Sequence, residues 1–218
     1  MAEPVDWRAD GIPRSARFDD IYHSESGAPA QARHVFLAGC GLPAAWAGQT
    51  QWLILETGFG LGLNFLATLQ AWRADPQRPQ RLHFVSIEAF PVARDDLLRA
   101  AAAYPELAAL AEELAAQWWG LLPGLHRFAF DHGRVLLTLC IGDVQPMLRA
   151  QHFEADSIFL DGFSPARNPQ MWSLDTLKGV ARFTRRGTRI ATWSIARALR
   201  DALTQCGFQV RNSGSFSE

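Results

Sequence analysis

The 218-residue sequence predicts an α/β fold with a doubly wound, Rossmann-like parallel sheet. Short apolar segments alternate with helical patterns, which is the arrangement of βαβ units and their parallel strands. Three glycines at alternate positions follow the first apolar segment, and each of the first four segments ends on an acid or a Gly-Asp pair. Because such sheets bind ligands beyond the carboxyl ends of their strands, these acids mark the expected site.

Six segments have the pattern of strands, and helices fall between them. The predicted strands are 53–56, 81–88, 135–141, 157–160, 188–193 and 208–211. Helices are predicted at about 62–73, from 91 to 119 in an alanine-rich region, and near 195–205, and Trp118 and Trp119 are expected in the core. Residues 17–24 and 33–36 resemble short strands of a β-hairpin-like cap. We therefore expect residues 1–52 to be an N-terminal cap of the same domain and 53–218 to be its core.

Composition excludes several classes of protein. The chain is 48% hydrophobic and 20% charged with a net charge of −1, which is typical of a globular domain. No apolar run approaches about 18 residues, and the N-terminus lacks a signal-peptide pattern, so a membrane role is not expected. The three cysteines and six histidines have neither disulfide-framework nor metal-ligand spacing. We expect a cytoplasmic protein without a metal.

The glycine loop selects among nucleotide cofactors. A dinucleotide fingerprint has the spacing G-x-G-x-x-G, but its last position here is Leu63. The pattern present is Glu56-x-Gly58-x-Gly60-x-Gly62, the first motif of class I S-adenosylmethionine (SAM) methyltransferases. SAM has no pyrophosphate, so the loop must give its methionine and ribose backbone room. The alternative is a glycine-rich turn without a ligand, since glycine also tolerates tight turns.

The acids that follow the strands have candidate roles in binding and chemistry. Glu88 is placed to accept hydrogen bonds from ribose hydroxyls. Asp143 is a candidate acceptor for an adenine amino group or, alternatively, a helix N-cap. Asp161 enters a proline-rich loop, where an acid can accept a hydrogen bond from a substrate amine. Phe163, Trp172 and Trp193 are candidates to face a cationic sulfonium.

A basic stretch is the candidate contact with nucleic acid. Residues 178–200 contain seven basic residues and no acid, including Arg185 and Arg186. Such a stretch is either a phosphate-binding patch or an ordinary solvated surface, and the sequence does not separate the two.

Motifs over nearly the whole chain support a family resemblance. They are Pro13-x-Ser15, Phe18-Asp19-Asp20-Ile21-Tyr22, Val35-Phe36-Leu37, the loop from Glu56 to Leu66, Gly124-x-His126-Arg127, Gly142-Asp143, the segment from Phe159 to Trp172, and Gly207-Phe208. Together they resemble the methyltransferase domain of the bifunctional MnmC family of tRNA 5-methylaminomethyl-2-thiouridine biosynthesis. The resemblance implies SAM-dependent methylation of the exocyclic amine of 5-aminomethyl-(2-thio)uridine at the wobble position of tRNA.

The resemblance also implies roles for individual residues. It identifies Asp161 as the methyl-transfer aspartate. The cofactor-binding residues are predicted to be Tyr22, Glu56, Gly58, Gly60, Gly62, Asn64, Glu88 and Asp143. The substrate-binding residues are predicted to be Phe163, Pro165, Arg167, Asn168, Trp172, Arg185 and Arg186.

The chain departs from the family pattern in three ways. Leu61 stands where the family usually has threonine, a change that we expect to leave SAM binding intact. The chain stops at Ser215-Phe216-Ser217-Glu218, so the last strand of the sheet is expected to be missing. The family's second, FAD-dependent oxidoreductase domain is also outside this sequence. The alternatives are an aminopropyltransferase or other small-amine transferase, a non-catalytic RNA-binding relative and, as a weaker one, a nicotinamide oxidoreductase.

Overall fold

A computed structural model describes residues 2–9, 11–22 and 27–211, which begin with a small antiparallel sheet. Its strands are β1 (Val5–Trp7), β2 (Pro13–Ser15) and β3 (Asp20–Ile21). The buried Glu3 accepts a 3.1 Å hydrogen bond from the Ser15 hydroxyl, and its amide donates to the Pro91 carbonyl at 2.9 Å. These contacts hold the small sheet against the segment around Pro91. Of the strand predicted at 17–24, only two residues are extended, and residues 23–24 lie outside the described part of the chain.

The strand predicted at 33–36 is wrong. Helix α1 (Ala28–Gln31) continues directly into a π-helical segment, Ala32–Leu37. Ala32 and Phe36 are four residues apart and both are buried, so the segment packs one helical face against the core. Val35 and Phe36, whose β-branched and aromatic side chains favoured a strand, instead pack against the core from this helical segment.

Within the described residues the central sheet has six strands, and it confirms the predicted fold class. They are β4 (Gln51–Thr57), β5 (Arg81–Glu88), β6 (Gly124–Phe130), β7 (Val135–Ile141), β8 (Ser157–Leu160) and β9 (Arg189–Thr192). Their order is β6-β7-β5-β4-β8-β9, and among them β6 is antiparallel to its neighbour whereas the rest pair in parallel. The sequence reasoning missed β6, because its exposed residues Leu125, Arg127 and Ala129 weaken the apolar pattern of a buried strand.

Helices cover both faces of this sheet. They are α2 (Leu63–Ala74), α3 (Arg94–Ala102), α4 (Pro105–Ala115), α5 (Val144–Ala150), α6 (Leu174–Ala181) and α7 (Arg197–Gln205). Consecutive strand residues point to opposite faces, so Ile54 belongs to one core cluster and Leu55 to the other. The first cluster includes residues of α2, α3 and α4, and the second includes residues of α5, α6 and α7. The strand ends therefore remain as the open edge where a ligand can bind.

Two further predictions are wrong. Residues 208–211 form no strand, because Gly207 has a φ of +90° and the Phe208 amide bonds to the Leu203 carbonyl at 3.1 Å. This is the 6→1 bond that ends a helix, and it turns the chain away from the sheet. Trp119 is 77% exposed, in contrast to the buried Trp118. Both follow the end of α4 at Ala115, and it is the Trp118 ring that packs into the core, stacked on Phe59 and Phe128.

The predicted absence of a final strand concerns residues 215–218, which lie outside the described residues. Of the helices in the described part of the chain, none combines the length and apolar character that a membrane crossing requires.

Candidate active site

The glycine loop crosses the carboxyl end of β4. Gly58, Gly60 and Gly62 have φ angles of +81°, +53° and +75°, a conformation that side chains strongly disfavour. A Cβ on Gly58 would lie 3.2 Å from the carbonyl oxygen of Asp161, so this glycine lets two strand ends approach each other. A Cβ on Gly60 would lie 3.3 Å from the ring of Tyr22 and would fill the space above the loop.

Glu88, the last residue of β5, holds this loop in place. One carboxylate oxygen accepts a 2.9 Å hydrogen bond from the Gly60 amide, and the other accepts a 2.8 Å bond from the Phe90 amide. Each carboxylate oxygen has a second lone pair, so Glu88 can still accept hydrogen bonds from a ligand in the cavity that it lines.

Asp161 follows β8 and is held by donors on both carboxylate oxygens. The Gly162 amide donates to Oδ1 at 2.8 Å, and the Asn64 side chain donates to Oδ2 at 2.7 Å. The Asp161 carbonyl also accepts a 3.0 Å bond from the Thr57 hydroxyl, which fixes the backbone against β4. The carboxylate is therefore oriented before any ligand arrives.

Burial raises the pKa of three carboxyl groups at this edge. Desolvation raises the pKa of Asp161 to about 6 despite its hydrogen-bond donors. Burial also raises the pKa of Glu88, and it raises that of the fully enclosed Glu56 well above the usual range. An excess of carboxyl groups favours a cationic ligand, and a carboxyl pKa close to neutral suits acid–base chemistry.

Aromatic rings line the site together with the carboxylates. Phe163 stacks on Phe18 with a centroid distance of 4.8 Å and meets Tyr22 edge-on at 5.1 Å. Burial raises the pKa of Tyr22, so its phenol stays neutral at physiological pH. The Trp193 indole donates to the Gly162 carbonyl at 3.2 Å and thereby supports the loop after Asp161. A cation facing these rings would gain a further electrostatic attraction.

A cavity of about 580 Å³ lies between the loop, the carboxylates and the rings. Most predicted site residues line it. They are Tyr22, Gly58, Gly60, Asn64, Glu88, Asp143, Asp161, Phe163 and Asn168. Asp143 precedes α5 but its side chain makes no capping hydrogen bond there, so it can serve a ligand.

Other predicted site residues do not line the cavity. Gly62 and Glu56 are buried below it. Trp172 supports the site from outside the cavity, because its indole donates to the Phe163 carbonyl at 2.7 Å. Pro165 belongs to the same loop but does not face the cavity.

The predicted arginines lie on the surface. Arg167 forms a 3.0 Å ion pair with Asp19 in the turn before β3. Arg185 and Arg186 are exposed in the segment before β9, at the amino end of the strands, and Arg185 pairs there with Asp156. The structure therefore does not bring Arg185 and Arg186 to the cavity.

The sequence reasoning missed two cavity residues that had a usable signal. Phe90 comes two residues after the strand-end acid Glu88 and lines the same cavity. Asp20 belongs to the motif Phe18-Asp19-Asp20-Ile21-Tyr22, but its position on β3 beside the Asp161 loop depends on long-range packing.

The residues present fit SAM. Gly60 leaves room that a Cβ would fill, Glu88 offers carboxylate lone pairs for ribose hydroxyls, and the carboxyl-rich, aromatic surroundings suit a sulfonium. Within residues 2–9, 11–22 and 27–211, no group of three or more His, Cys, Asp or Glu side chains is arranged to hold a metal ion.

Comparison with solved structures supports this architecture. The chain is similar to MNMC2 from Aquifex aeolicus, with a TM-score of 0.77 and 24% sequence identity over 99% of this chain and 68% of that one. At this identity the likeness concerns the fold.

Sequence comparisons find relatives that are much longer. The chain is 65% identical over 97% of its length to the tRNA 5-methylaminomethyl-2-thiouridine biosynthesis bifunctional protein MnmC of Acidovorax sp. (strain JS42). It is 63% identical, again over 97% of its length, to the protein of the same name from Polaromonas naphthalenivorans (strain CJ2). It spans 33% and 34% of these two relatives, about one third of each.

A family model described as S-adenosyl-L-methionine-dependent methyltransferase matches residues 105–218, which include Asp143 and Asp161. The match agrees with the loop, the carboxylates and the cavity, and SAM is the cofactor. The chain belongs to this family of SAM-dependent methyltransferases.

Proposed function

We propose that this chain methylates the exocyclic amine of 5-aminomethyl-(2-thio)uridine at the wobble position of tRNA, giving 5-methylaminomethyl-(2-thio)uridine. The observation that carries the proposal is the position of Asp161, a pre-oriented carboxylate with a pKa of about 6 in the wall of the cavity. The names of the two long relatives, which are 63–65% identical to the chain, support this choice of substrate.

The substrate amine must be neutral before it can attack. An alkyl amine has a pKa near 10, so at neutral pH it enters mostly as an ammonium ion. Ionised Asp161 can accept a hydrogen bond from the amine through the free lone pairs of its two oxygens. Desolvation in the cavity lowers the pKa of the amine, and the ammonium proton passes to solvent, directly or by way of Asp161 as general base. A remaining N–H of the neutral amine then donates to Asp161, which aims the nitrogen lone pair into the cavity.

When bound, SAM supplies an electrophilic methyl group whose carbon–sulfur bond breaks with both electrons passing to sulfur. The chain's own residues then have three tasks. Glu88 and the glycine loop bind and orient the cofactor, Asp161 orients the amine, and the rings of Phe18, Tyr22 and Phe163 exclude water. The proton released by the amine passes to the Asp161 carboxylate or to solvent.

A wobble base must leave the anticodon stack to reach this cavity. Proteins read such bases by stacking them on aromatic rings and hold the neighbouring phosphates with arginine. We propose Phe163 of the cavity for the stacking role and Arg167 of the adjoining loop for a phosphate contact. Asn168 and Pro165 of the same loop are further proposed substrate contacts. Arg185 and Arg186 remain candidates for phosphates further along the tRNA.

The proposal also concerns the domain organisation of the protein and its location in the cell. We propose that residues 1–52 form an N-terminal cap of one domain with 53–218. The length of the relatives supports a further region, which we propose to be an FAD-dependent oxidoreductase domain. A role on tRNA is consistent with a cytoplasmic location.

Two tests address the proposal and its alternatives. Calorimetry with SAM, decarboxylated SAM and NAD separates a methyltransferase from an aminopropyltransferase and a nicotinamide oxidoreductase, and we expect tight binding of SAM alone. Transfer of labelled methyl from SAM to tRNA carrying the aminomethyl group, but not to tRNA lacking it, is the expected activity. Binding of SAM without transfer to either tRNA would leave only a non-catalytic role.

A further inference from the structure

Asn64, in the first turn of α2, lies between two carboxyl groups. Its side-chain nitrogen is 2.7 Å from Oδ2 of Asp161 and 3.0 Å from Oε1 of Glu56. The other oxygen of Glu56 accepts a 2.6 Å hydrogen bond from the hydroxyl of Ser86. A chain of side chains thus connects the buried interior of the sheet with the carboxylate in the cavity wall.

The orientation of the Asn64 amide follows from its neighbours. An amide nitrogen carries two hydrogens, and here each one has a carboxylate oxygen as its acceptor. The flipped amide would place its oxygen 2.7 Å from an oxygen of ionised Asp161, which is repulsive. In the orientation present, Oε1 of Glu56 can accept the second hydrogen even when Glu56 carries a proton on its other oxygen. Both donors are therefore used inside the protein, and none remains for a ligand.

We infer that Asn64 is a positioning residue for Asp161 rather than a donor to the cofactor. The Asn64 side chain fixes Oδ2 of Asp161 and keeps the Asp161 carboxylate ionised beside Glu56. This replaces the cofactor-binding role expected for Asn64, and it rests on the proposed role of Asp161 in methyl transfer. Without the bridging amide, Oδ2 of Asp161 would lose its side-chain donor and would face the carboxyl group of Glu56 across a site with little water.

The charged groups around Asp161 determine the direction of the effect. Burial and the nearby Glu88 of β5 disfavour its ionised form, and Glu56 of β4 faces it across the Asn64 amide. The Gly162 amide, the Asn64 side chain and the Trp193 indole favour the ionised form. Loss of Asn64 removes a donor and leaves the two acids, so Asp161 must hold its proton to a higher pH.

The test is a direct titration of Asp161 in Asn64→Leu, which keeps a similar volume without donors. Carbon-13 NMR of aspartate-labelled protein follows the carboxyl group, and the signal missing from Asp161→Asn assigns it. We expect the midpoint to rise by about 1–2 pH units, the equivalent of one hydrogen bond to a charged group. The acid limb of the pH–rate profile should move with it, while SAM affinity changes by less than about threefold.

Thr68→Val is the matched control. The Thr68 hydroxyl donates to the Asn64 carbonyl at 2.7 Å, so this variant removes a buried hydrogen bond of the same helix without touching Asp161. The titration midpoint of Asp161 in Thr68→Val should equal the midpoint in the unaltered chain. Asn64→Ala provides the same measurement if leucine prevents folding.

An unchanged midpoint in folded Asn64→Leu or Asn64→Ala would overturn the inference. A large loss of SAM affinity at an unchanged titration midpoint of Asp161 would also overturn it, because that result would show that Asn64 binds the cofactor. The titration needs no turnover, so a chain that fails to methylate tRNA would refute the proposed function while the role of Asn64 is still measured.

Discussion

Asp20 accepts a 2.8 Å hydrogen bond from the backbone amide of Ser164, which joins β3 of the N-terminal sheet to the loop that follows Asp161. The two residues are 144 positions apart in the chain. The contact stands next to the stacked pair Phe18 and Phe163. The N-terminal sheet and the Asp161 loop therefore form one wall of the cavity.

Asp20→Ala should loosen this wall. One hydrogen bond to a charged acceptor corresponds to about 1.5–3 kcal/mol, so kcat/KM for tRNA should fall by about tenfold or more. Hydrogen exchange at the Ser164 amide should accelerate, which reports the contact without an activity assay. Asp6→Ala, at an exposed position of β1, should change neither quantity. Unaltered exchange at Ser164 in Asp20→Ala would show that the contact does not hold the loop.

Gly60→Val should abolish SAM binding without unfolding the chain, because its side chain would enter the space between the loop and Tyr22. Gly48→Val is the matched control. Gly48 has a φ of +72° and open space at its Cβ, so the substitution brings similar backbone strain away from the cavity. Calorimetry should show SAM binding in Gly48→Val alone. Equal affinities in both variants would refute the placement of the cofactor over the loop.

The raised pKa of Asp161 predicts how stability depends on pH. Its pKa is about 6 in the folded chain and 3.8 in a model carboxyl group, so between these values the folded state holds a proton that the unfolded state has lost. The free energy of unfolding should therefore fall as pH rises from about 4 to 6. Denaturant titrations of Asp161→Asn should give a shallower fall than those of the unaltered chain.

Asp95→Asn is the control for that measurement. It removes the same charge from a side chain that is 92% exposed and should leave the pH dependence unchanged. Identical slopes for Asp161→Asn and Asp95→Asn would contradict the burial argument for Asp161.

Charge-reversal variants should show which arginines contact the phosphates of the tRNA. Arg167→Glu, on the loop beside the cavity, should weaken tRNA binding and reduce the salt slope by about 1. Arg186→Glu gives the same test for the segment before β9, where tRNA contacts are also predicted. SAM affinity should be the same in both variants. Full tRNA affinity and an unchanged salt slope in both would place the phosphate contacts elsewhere.

Local signals predicted the strands and the acids of the site. The apolar runs at 81–88, 135–141 and 157–160 match β5, β7 and β8, because buried parallel strands have a continuous apolar pattern. The sequence predicts Glu88 as a site residue because it ends such a strand, and Asp161 because it directly follows one. These are properties of neighbouring residues, which the sequence displays.

Long-range contacts explain what the sequence did not show. The hydrogen bonds from Asn64 to Glu56 and to Asp161, which is 97 positions away, are such contacts. The positioning role that we infer for Asn64 rests on them, whereas its predicted cofactor role came from the local glycine-loop motif. The segment at 33–36 is helical because Phe36 is needed in the core. Arg185 pairs with Asp156 at the amino end of the strands. The number of charges along the sequence does not show at which end of the sheet a basic residue lies.

The most direct test of the central claim is methyl transfer to tRNA that carries 5-aminomethyl-2-thiouridine at the wobble position, measured under single-turnover conditions and with the product nucleoside identified by mass spectrometry. We predict N-methylation by the unaltered chain and a rate lower by about 10²–10⁴-fold in Asp161→Ala, with SAM affinity little changed in calorimetry. An unmethylated nucleoside in the presence of bound SAM, or full activity in Asp161→Ala, would contradict the account.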